Sequence, residues 1–200
     1  KVLLVMDISN GADALLAHPP LQRLADLRGK RIGLENMALG AYVLTRALNK
    51  SQLSTADIKT RFIPFDQHEQ AYLQHDIDAL VTFEPVKSKL QAAGAHVLLD
   101  SKALPNEIID VLVIHESALK AHDEAVKTLI DGWFKALSYM KSQPERTSKL
   151  IAKRLQTSPE QFLKSLDDIE LPNRDWNRKF LLGEHPQFPV LVQQLQDIML

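Results

Sequence analysis

The chain has 200 residues, of which 45% are hydrophobic and 24% charged, and its 24 basic and 25 acidic residues leave a formal net charge of -1. This composition is that of a globular protein with a sizeable core, and it excludes disorder. The charge balance argues against nucleic acid or an anionic membrane surface as a partner, and the absence of cysteine excludes disulfides, thiolate metal sites and cysteine nucleophiles.

Short apolar, β-branched runs alternate with helical patterns along the first part of the chain, which is typical of a mostly parallel sheet flanked by helices. Strands are predicted at Val2–Ile8, Arg31–Leu34, Thr60–Pro64, Ala79–Phe83, His96–Leu99 and Val111–Ile114. Capping-box spacings, such as those of Ser54 with Asp57 and Ser158 with Gln161, predict where helices begin, as does Pro85.

From Asp123 onward, apolar residues recur at the spacing of one helix face, which predicts a long helix carrying Trp133 and Phe134. The strand patterns stop before this helix. Residues 143–200 are typical of shorter helices separated by prolines and Gly183. An α/β region to about residue 114, with a mixed sheet in residues 15–110, is therefore expected to be followed by an almost wholly helical region over residues 116–200.

The first candidate site follows the predicted strand Val2–Ile8. The segment Asp7–Asp13 places two carboxylates, a hydroxyl, an amide and a glycine at a strand end, which is where α/β sheets bind ligands. Ser9 and Asn10 carry groups that donate to an oxygen-rich ligand, and Gly11 permits close approach of the backbone. A turn closed by its own Asp and Asn side chains would account for the same residues, so both interpretations stay open.

A second candidate is the segment Gly33–Gly40, a strand end that runs into a helix. Free N–H groups at a helix start suit a carboxylate, sulfonate, nitrate or phosphate. The glycine spacing matches neither the dinucleotide-binding pattern nor a phosphate-binding loop. An ordinary strand-to-helix loop is the alternative.

A third candidate is the segment Val81–Pro85, in which a predicted strand carries an aromatic residue and an acid to its end, and Asp110 is another acid at a strand boundary. Glu84 follows a predicted strand just before Pro85, and Asp110 precedes another predicted strand. Each carboxylate would accept hydrogen bonds from an ammonium or amidine group of a ligand. Glu84 would equally serve to cap its own helix.

The histidines give no sign of a metal site, because no pair combines the i,i+4 spacing and acidic neighbour of a helical site. His68 and His75 are instead expected on the solvent side of one helix. No nucleophile motif of the hydrolases is present. The sequence thus predicts neither a metal or other cofactor nor a catalytic residue.

Four segments together resemble the substrate-binding proteins of ABC importers for nitrate, taurine, alkanesulfonates and thiamin-precursor pyrimidines. They occur in the order that the family shows: Asp7–Leu15, Leu24–Gly33, Asp78–Pro85 and Ile109–Ile114. Each segment is short, but their common order extends the resemblance over nearly the whole chain.

The resemblance implies a type 2 periplasmic-binding fold, an α/β architecture of two lobes joined by crossing strands with the ligand held between them. It implies that residues 15–110 form a complete second lobe. Residues 1–14 and 111–200 would form a partial first lobe, made of one strand and the C-terminal helices. The implied ligand-binding residues are Ser9, Asn10, Gly11, Asn36, Met37, Ala38, Glu84 and Asp110.

The function that the resemblance implies is binding without catalysis. A small anionic or zwitterionic solute, of the sulfonate, nitrate, taurine or pyrimidine-precursor type, would be delivered to an ABC permease in the membrane from the periplasm or another extracytoplasmic space. The alternative is a ligand-sensing domain of a transcriptional or membrane signalling protein. An enzyme like the fungal pyrimidine synthase of similar fold is disfavoured, because that enzyme relies on a cysteine-rich motif and this chain has no cysteine.

The first strand is apolar on both faces over Val2–Met6, which is typical of the middle of a covered parallel sheet. Its flanking strands are not expected within this chain, since members of the family begin with further strand-helix units. Further N-terminal residues are therefore expected in the full protein. Since no membrane span or signal peptide is evident in the given sequence, the secretion signal is expected among those residues. Without those strands, the exposed edge is expected to cause self-association.

Overall fold

A computed structural model describes residues 1–155 and 157–199, and the chain divides into two compact units. The first unit contains Lys1–Ser9 and Asn106–Val192. The second unit contains residues 10–105 and the residues from Gln193 onward. The chain thus passes between the units after Ser9, after Pro105 and after Val192, whereas the resemblance implied passages after residues 14 and 110.

In the described residues the strands are β1 (Val2–Ser9), β2 (Ala14–Ala17), β3 (Arg31–Leu34), β4 (Lys59–Phe62), β5 (Ala79–Thr82), β6 (His96–Asp100), β7 (Ile109–Val113) and β8 (Ile169–Glu170). The helices are α1 (Ala38–Lys50), α2 (His68–Leu73), α3 (Val86–Ala92), α4 (Glu116–Ala121), α5 (Asp123–Ser142), α6 (Pro144–Leu155), α7 (Pro159–Ser165), α8 (Arg174–Leu182) and α9 (Phe188–Met199).

The first unit is built on an antiparallel sheet of three strands in the order β7-β1-β8. β7 pairs with β1 from Val2 opposite Val113 to Ile8 opposite Ile109, whereas β8 pairs only with Ile8 and Ser9. The prediction that β1 lies in a parallel sheet without flanking strands in this chain is therefore wrong. An apolar run indicates that a strand is buried, but it does not encode the direction or origin of its neighbours.

The Asn177 side chain extends the hydrogen bonding of β1 beyond Ile8 and Ser9, the two residues that pair with β8. The Asn177 amide in α8 accepts a hydrogen bond from Val5 N at 2.7 Å and donates one to Val5 O at 3.1 Å. One amide group thereby satisfies both main-chain groups of a buried residue. Asn177 therefore stands where the next residue of a neighbouring strand would stand.

The second unit contains a mixed sheet of five strands in the order β4-β3-β5-β2-β6. β3 is parallel to both β4 and β5, whereas β2 is antiparallel to β5 and β6. The mixed sheet predicted for residues 15–110 is thus confirmed, although the mostly parallel arrangement indicated by the alternation holds for one half of the sheet only. The carboxyl ends of β3 and β5 meet at the same edge as the start of β2, because β2 runs in the opposite direction.

The strand β2 is missing from the sequence prediction, although all four of its residues are buried. Leu15 and Leu16 pair across to β5 on one side and β6 on the other, so β2 lies inside the sheet. A run of four apolar residues has no alternation to distinguish a strand from other buried segments. Only the tertiary structure shows that β2 lies in the interior of the sheet.

The helices mostly follow the predicted signals. The capping boxes of Ser54 with Asp57 and of Ser158 with Gln161 are confirmed, the first on a short 3-10 turn and the second at α7. The long helix expected from Asp123 is α5, on which Trp133 and Phe134 are partly buried. Within residues 1–155 and 157–199, every helix is too short or too polar to cross a lipid bilayer.

Candidate functional site

A small depression lies at one edge of the five-stranded sheet, within the second unit. Its lining comes from the start of β2, the ends of β3 and β5, and the first residues of α1 and α2: Asp13, Glu35, Leu39, Gly40, His68, Val81, Thr82 and Phe83. The depression has room for about one water-sized group, so it suits a single small head group. The three segments singled out in the sequence converge at this edge.

The start of α1 contributes main-chain donors to the depression. Met37 precedes the helix in an extended conformation, and its side chain makes no capping hydrogen bond. The first intrahelical bond seen here runs from Ala41 N to Met37 O, so the earlier N–H groups have no carbonyl partner within the helix. Leu39 and Gly40, which belong to this first turn, line the depression. An anionic group is favoured at such a position.

Two acidic residues line the same depression. Glu35 follows β3 and is partly buried, and Asp13 precedes β2 and is buried. Ser101 N donates to the Asp13 main-chain oxygen at 2.9 Å, which fixes this turn against the end of β6. The depression therefore combines negatively charged side chains with the positive end of a helix.

The neighbouring turn at Gly11 is held from two sides. Gly11 has a φ of 122°, a conformation that favours glycine, and its N–H donates to Ser101 Oγ at 2.6 Å. Its carbonyl accepts from Lys87 Nζ at 2.6 Å, and Lys87 is only 5% exposed. The same ammonium lies 3.8 Å from Glu84 Oε1. Lys87 thus brings Gly11 and Glu84 together.

His68 is fully buried beside the depression, so the prediction that it lies on the solvent side of its helix is wrong. Its ring nitrogens meet Thr82 Oγ1 at 3.0 Å and the Ile63 carbonyl at 3.1 Å. Burial lowers the pKa of His68, against smaller opposing effects of Ile63, Glu35 and Asp66. The α2 pattern misled the prediction because the helix has only six residues, too few to define a face.

The predicted ligand-binding residues are divided between the units. Ser9 and Asp110 belong to the first unit, where Ser9 N donates to Ile108 O and Asp110 lies opposite Asp7 in the β1–β7 ladder. The second unit holds the others: Asn10, Gly11, Asn36, Met37, Ala38 and Glu84. Their role in binding stays a prediction.

Within the second unit, the predicted residues differ in environment. Asn36, Met37 and Ala38 are exposed at the start of α1, with Met37 66% exposed. Glu84 accepts hydrogen bonds from Ser88 Oγ at 3.0 Å and from Ser88 N at 3.3 Å, so its carboxylate engages its own helix α3. Asn10 is partly buried at the start of the unit.

Sequence reasoning identified the segments, but none of the eight residues predicted to bind a ligand lines the depression. Asp13, Glu35 and Thr82 lie in the three singled-out segments, so strand-end position was a usable signal for them. Lys87 and Ser101 were missed, because nothing local distinguishes a buried lysine or serine from a solvated one. In the part of the chain that the structure describes, no three His, Asp or Glu side chains are grouped to hold a metal ion.

A second, larger depression lies beside the edge strand β4. Arg61 and Asp76 line it together with glutamines of α2. None of the three candidate segments from the sequence contributes to this lining, whereas each of them contributes to the smaller depression. The smaller depression is therefore the better candidate site.

The fold is shared with solved solute-binding proteins. The periplasmic aliphatic sulphonate binding protein SsuA from Escherichia coli matches 99% of this chain over 67% of its own, at 18% identity and a TM-score of 0.76. The alkanesulfonate-binding protein SsuA from Xanthomonas axonopodis pv. citri, solved bound to MOPS, matches 98% over 65%, at 18% identity and a TM-score of 0.71. The chain thus spans about two thirds of their length.

An enzyme has a similar fold as well. The desulfurization enzyme DSZB matches 100% of the chain over 71% of its own, at 16% identity and a TM-score of 0.70. At these identities the likeness shows the fold, and it confirms the predicted α/β periplasmic-binding architecture. None of the curated protein sequences matches the chain.

The family assignment comes from the sequence itself. The family model described as NMT1/THI5 like matches residues 2–147, which is most of the chain and includes all four segments on which the resemblance was based. The chain therefore belongs to the NMT1/THI5-like family.

Proposed function

We propose that the chain binds a small zwitterionic solute, with an anionic group and an amino group, and captures it outside the cytoplasm for an ABC importer. The observation that carries this proposal is the depression of the second unit, where the uncapped start of α1 lies beside the carboxylates of Asp13 and Glu35. Because the depression holds only one small group, the amino group enters it and the anionic group lies at its mouth, against the exposed first turn of α1.

The anionic half is assigned to the start of α1. This helix has 13 residues, so its dipole is well developed, and no acidic side chain lies in its first turn. A sulfonate or carboxylate would accept hydrogen bonds from the main-chain N–H groups of Leu39 and Gly40. The solute would thereby take the place that a capping side chain occupies in other helices.

The cationic half is assigned to the carboxylates. Asp13 and Glu35 are both withdrawn from bulk water, so a charge-assisted hydrogen bond to either is stronger than one at the surface. A purely anionic solute has no positive charge to offset the negative charge of Glu35. The site therefore favours a zwitterion over an anion that lacks an amino group.

Two features of similar proteins support this proposal. The ligand of the Xanthomonas protein, MOPS, is itself a zwitterion that joins a sulfonate to an amine. Both SsuA proteins are named for binding sulfonates, and a sulfonate suits the helix start. An ABC permease is the partner that an importer of this type requires, and an extracytoplasmic location follows from the same role.

The test is calorimetric titration with three related solutes: taurine, ethanesulfonate and ethylamine. Taurine is expected to bind most tightly, because the other two each lack one of its charged groups. Glu35→Gln should weaken taurine binding about tenfold, since one charge-assisted hydrogen bond is lost. Ethanesulfonate binding should not weaken. Glu124→Gln, at an exposed position of α5, is the matched control and should change neither affinity.

Equal binding of taurine and ethanesulfonate would contradict the zwitterion assignment, and no binding of any of the three would overturn the proposal. The transport role is tested separately, by uptake of labelled taurine in cells with the gene deleted. Loss of uptake supports the importer role. Unchanged uptake with altered gene expression would contradict it and favour the ligand-sensing alternative.

A further inference from the structure

The hydrogen bonds of His68 fix which of its nitrogens carries the proton. The Ile63 main-chain oxygen only accepts, so Nε2, at 3.1 Å, is the nitrogen that donates to it. In the neutral ring the other nitrogen, Nδ1, is then an acceptor. Burial lowers the pKa of His68, which favours this neutral form.

This tautomer determines the orientation of the Thr82 hydroxyl. Thr82 Oγ1 lies 3.0 Å from His68 Nδ1, and an acceptor nitrogen requires that the hydroxyl donate its proton to it. A hydroxyl has one proton and two lone pairs, so Thr82 Oγ1 has no further proton to offer and can only accept from a ligand. Thr82 is 1% exposed and lines the depression at the end of β5.

We propose that the His68–Thr82 pair makes the depression selective for a primary ammonium group, with His68 as the positioning residue and Thr82 as the residue that accepts from the ligand. The side chains of Glu35 and Thr82 then both present acceptors to a space that holds about one water-sized group. An ammonium offers several protons from one small atom. This inference rests on the proposed solute-binding function and names the head group that the site recognises.

The test uses ethylammonium chloride, titrated into the whole chain while the Thr82 and Glu35 resonances are followed by NMR. Thr82→Val has nearly the same shape but no hydroxyl, and it should weaken ethylammonium binding about tenfold. Thr82→Ser keeps the hydroxyl and should retain the affinity within about twofold. Thr60→Val, on the exposed strand β4, is the matched control and should have no effect.

A second measurement does not depend on any variant folding. Long-range ¹H–¹⁵N spectra of the wild-type protein report which nitrogen of His68 is protonated. At neutral pH the Nε2-protonated tautomer is expected. A ring protonated at Nδ1, or at both nitrogens, would overturn the inference, because Thr82 would then be free to donate to a ligand.

The outcomes separate this inference from the proposed function. If Thr82→Val weakens the binding of taurine and of ethanesulfonate by the same factor, the selectivity inference is wrong but the proposed solute binding is retained. If ethylammonium binds with the expected dependence on Thr82 but taurine does not bind, the inference stands and the proposed function falls. Absence of any ethylammonium binding overturns the inference.

Discussion

At the scale of single residues, the second unit contains buried polar side chains whose partners come from distant parts of the chain. Lys87 is the strongest example, because its ammonium reaches the Gly11 carbonyl across 76 positions of sequence. A buried cation is tolerated only when hydrogen bonds and an opposite charge compensate it. Gly11 and Glu84 provide that compensation.

Replacement of Lys87 tests this arrangement. Lys87→Met keeps the apolar stem and removes the charge, so the Gly11 carbonyl loses its partner. We expect a loss of about 1.5–3 kcal/mol in unfolding free energy, measured by urea denaturation. Lys89→Met is the control, because Lys89 pairs with Glu69 at the surface and should cost at most about 1 kcal/mol. Equal losses in both variants would contradict a structural role for the Lys87 contact.

His18 is the centre of an aromatic stack, with ring centroids 4.0 Å from Tyr72 and 4.2 Å from His75. In the described part of the chain, the buried His18 Nε2 and Tyr72 Oη have no hydrogen-bond partner. Burial raises the pKa of Tyr72 to about 12. Burial, and then the neighbouring His75, lower the pKa of His18 below its ordinary value of 6.5.

The lowered pKa values predict a pH dependence of stability. The unfolded chain, in which His18 and His68 have their ordinary pKa of 6.5, takes up protons more readily than the folded chain. The contribution of these two histidines to the unfolding free energy is therefore complete above pH 6.5. It decreases as the pH falls toward their lowered pKa values in the folded chain. Urea unfolding between about pH 5 and 7.5 should show this decline.

The variant His18→Phe keeps a ring in the stack but cannot titrate, so it should flatten part of that decline. His185→Phe removes an exposed histidine and should leave the slope unchanged. A slope that is the same in wild type and His18→Phe would show that protonation of His18 does not oppose folding.

At the scale of secondary-structure elements, β1 depends on a side chain to complete its pairing. β7 covers one edge throughout, whereas β8 covers the other edge only at Ile8 and Ser9. Asn177 extends that coverage to Val5. Unpaired main-chain groups inside a protein are costly, which explains why an asparagine lies buried in α8.

Removing this amide should destabilise the first unit. Asn177→Leu has similar size but leaves Val5 N and O without partners, each at a cost of about 1–3 kcal/mol. Asn49→Leu, the same substitution on an exposed part of α1, should change the unfolding free energy by less than about 0.5 kcal/mol. Urea denaturation of both variants is the measurement. A small loss for Asn177→Leu would mean that water satisfies Val5 equally well.

At the scale of the whole molecule, self-association through Val2–Met6 stays a prediction. The edge of β1 opposite β7 is the surface through which a second chain would pair. Asn177→Leu should expose more of this edge, so light scattering should show a greater molar mass for this variant than for Asn49→Leu. If both variants are monomeric, and circular dichroism shows that Asn177→Leu is folded, association through this strand is contradicted.

Much of the architecture was predictable from the sequence because it is encoded locally. Apolar runs bounded by turn residues located most of the strands, and the long helix α5 followed from one apolar stripe. The order of four short segments indicated the family that the family model confirms. The same local logic placed candidate residues at strand ends, and Asp13, Glu35 and Thr82 lie in those segments.

Only the tertiary structure decided which residues meet. The sequence shows that β1 is apolar but not that β7 returns beside it in the antiparallel direction. It likewise shows a lysine, a histidine and a threonine without indicating that Lys87 reaches Gly11 or that His68 reaches Thr82. Local patterns reflect interactions over a few residues, whereas these contacts join positions that the folded sheets bring together. The polarity of the candidate site therefore depends on contacts between residues far apart in the chain.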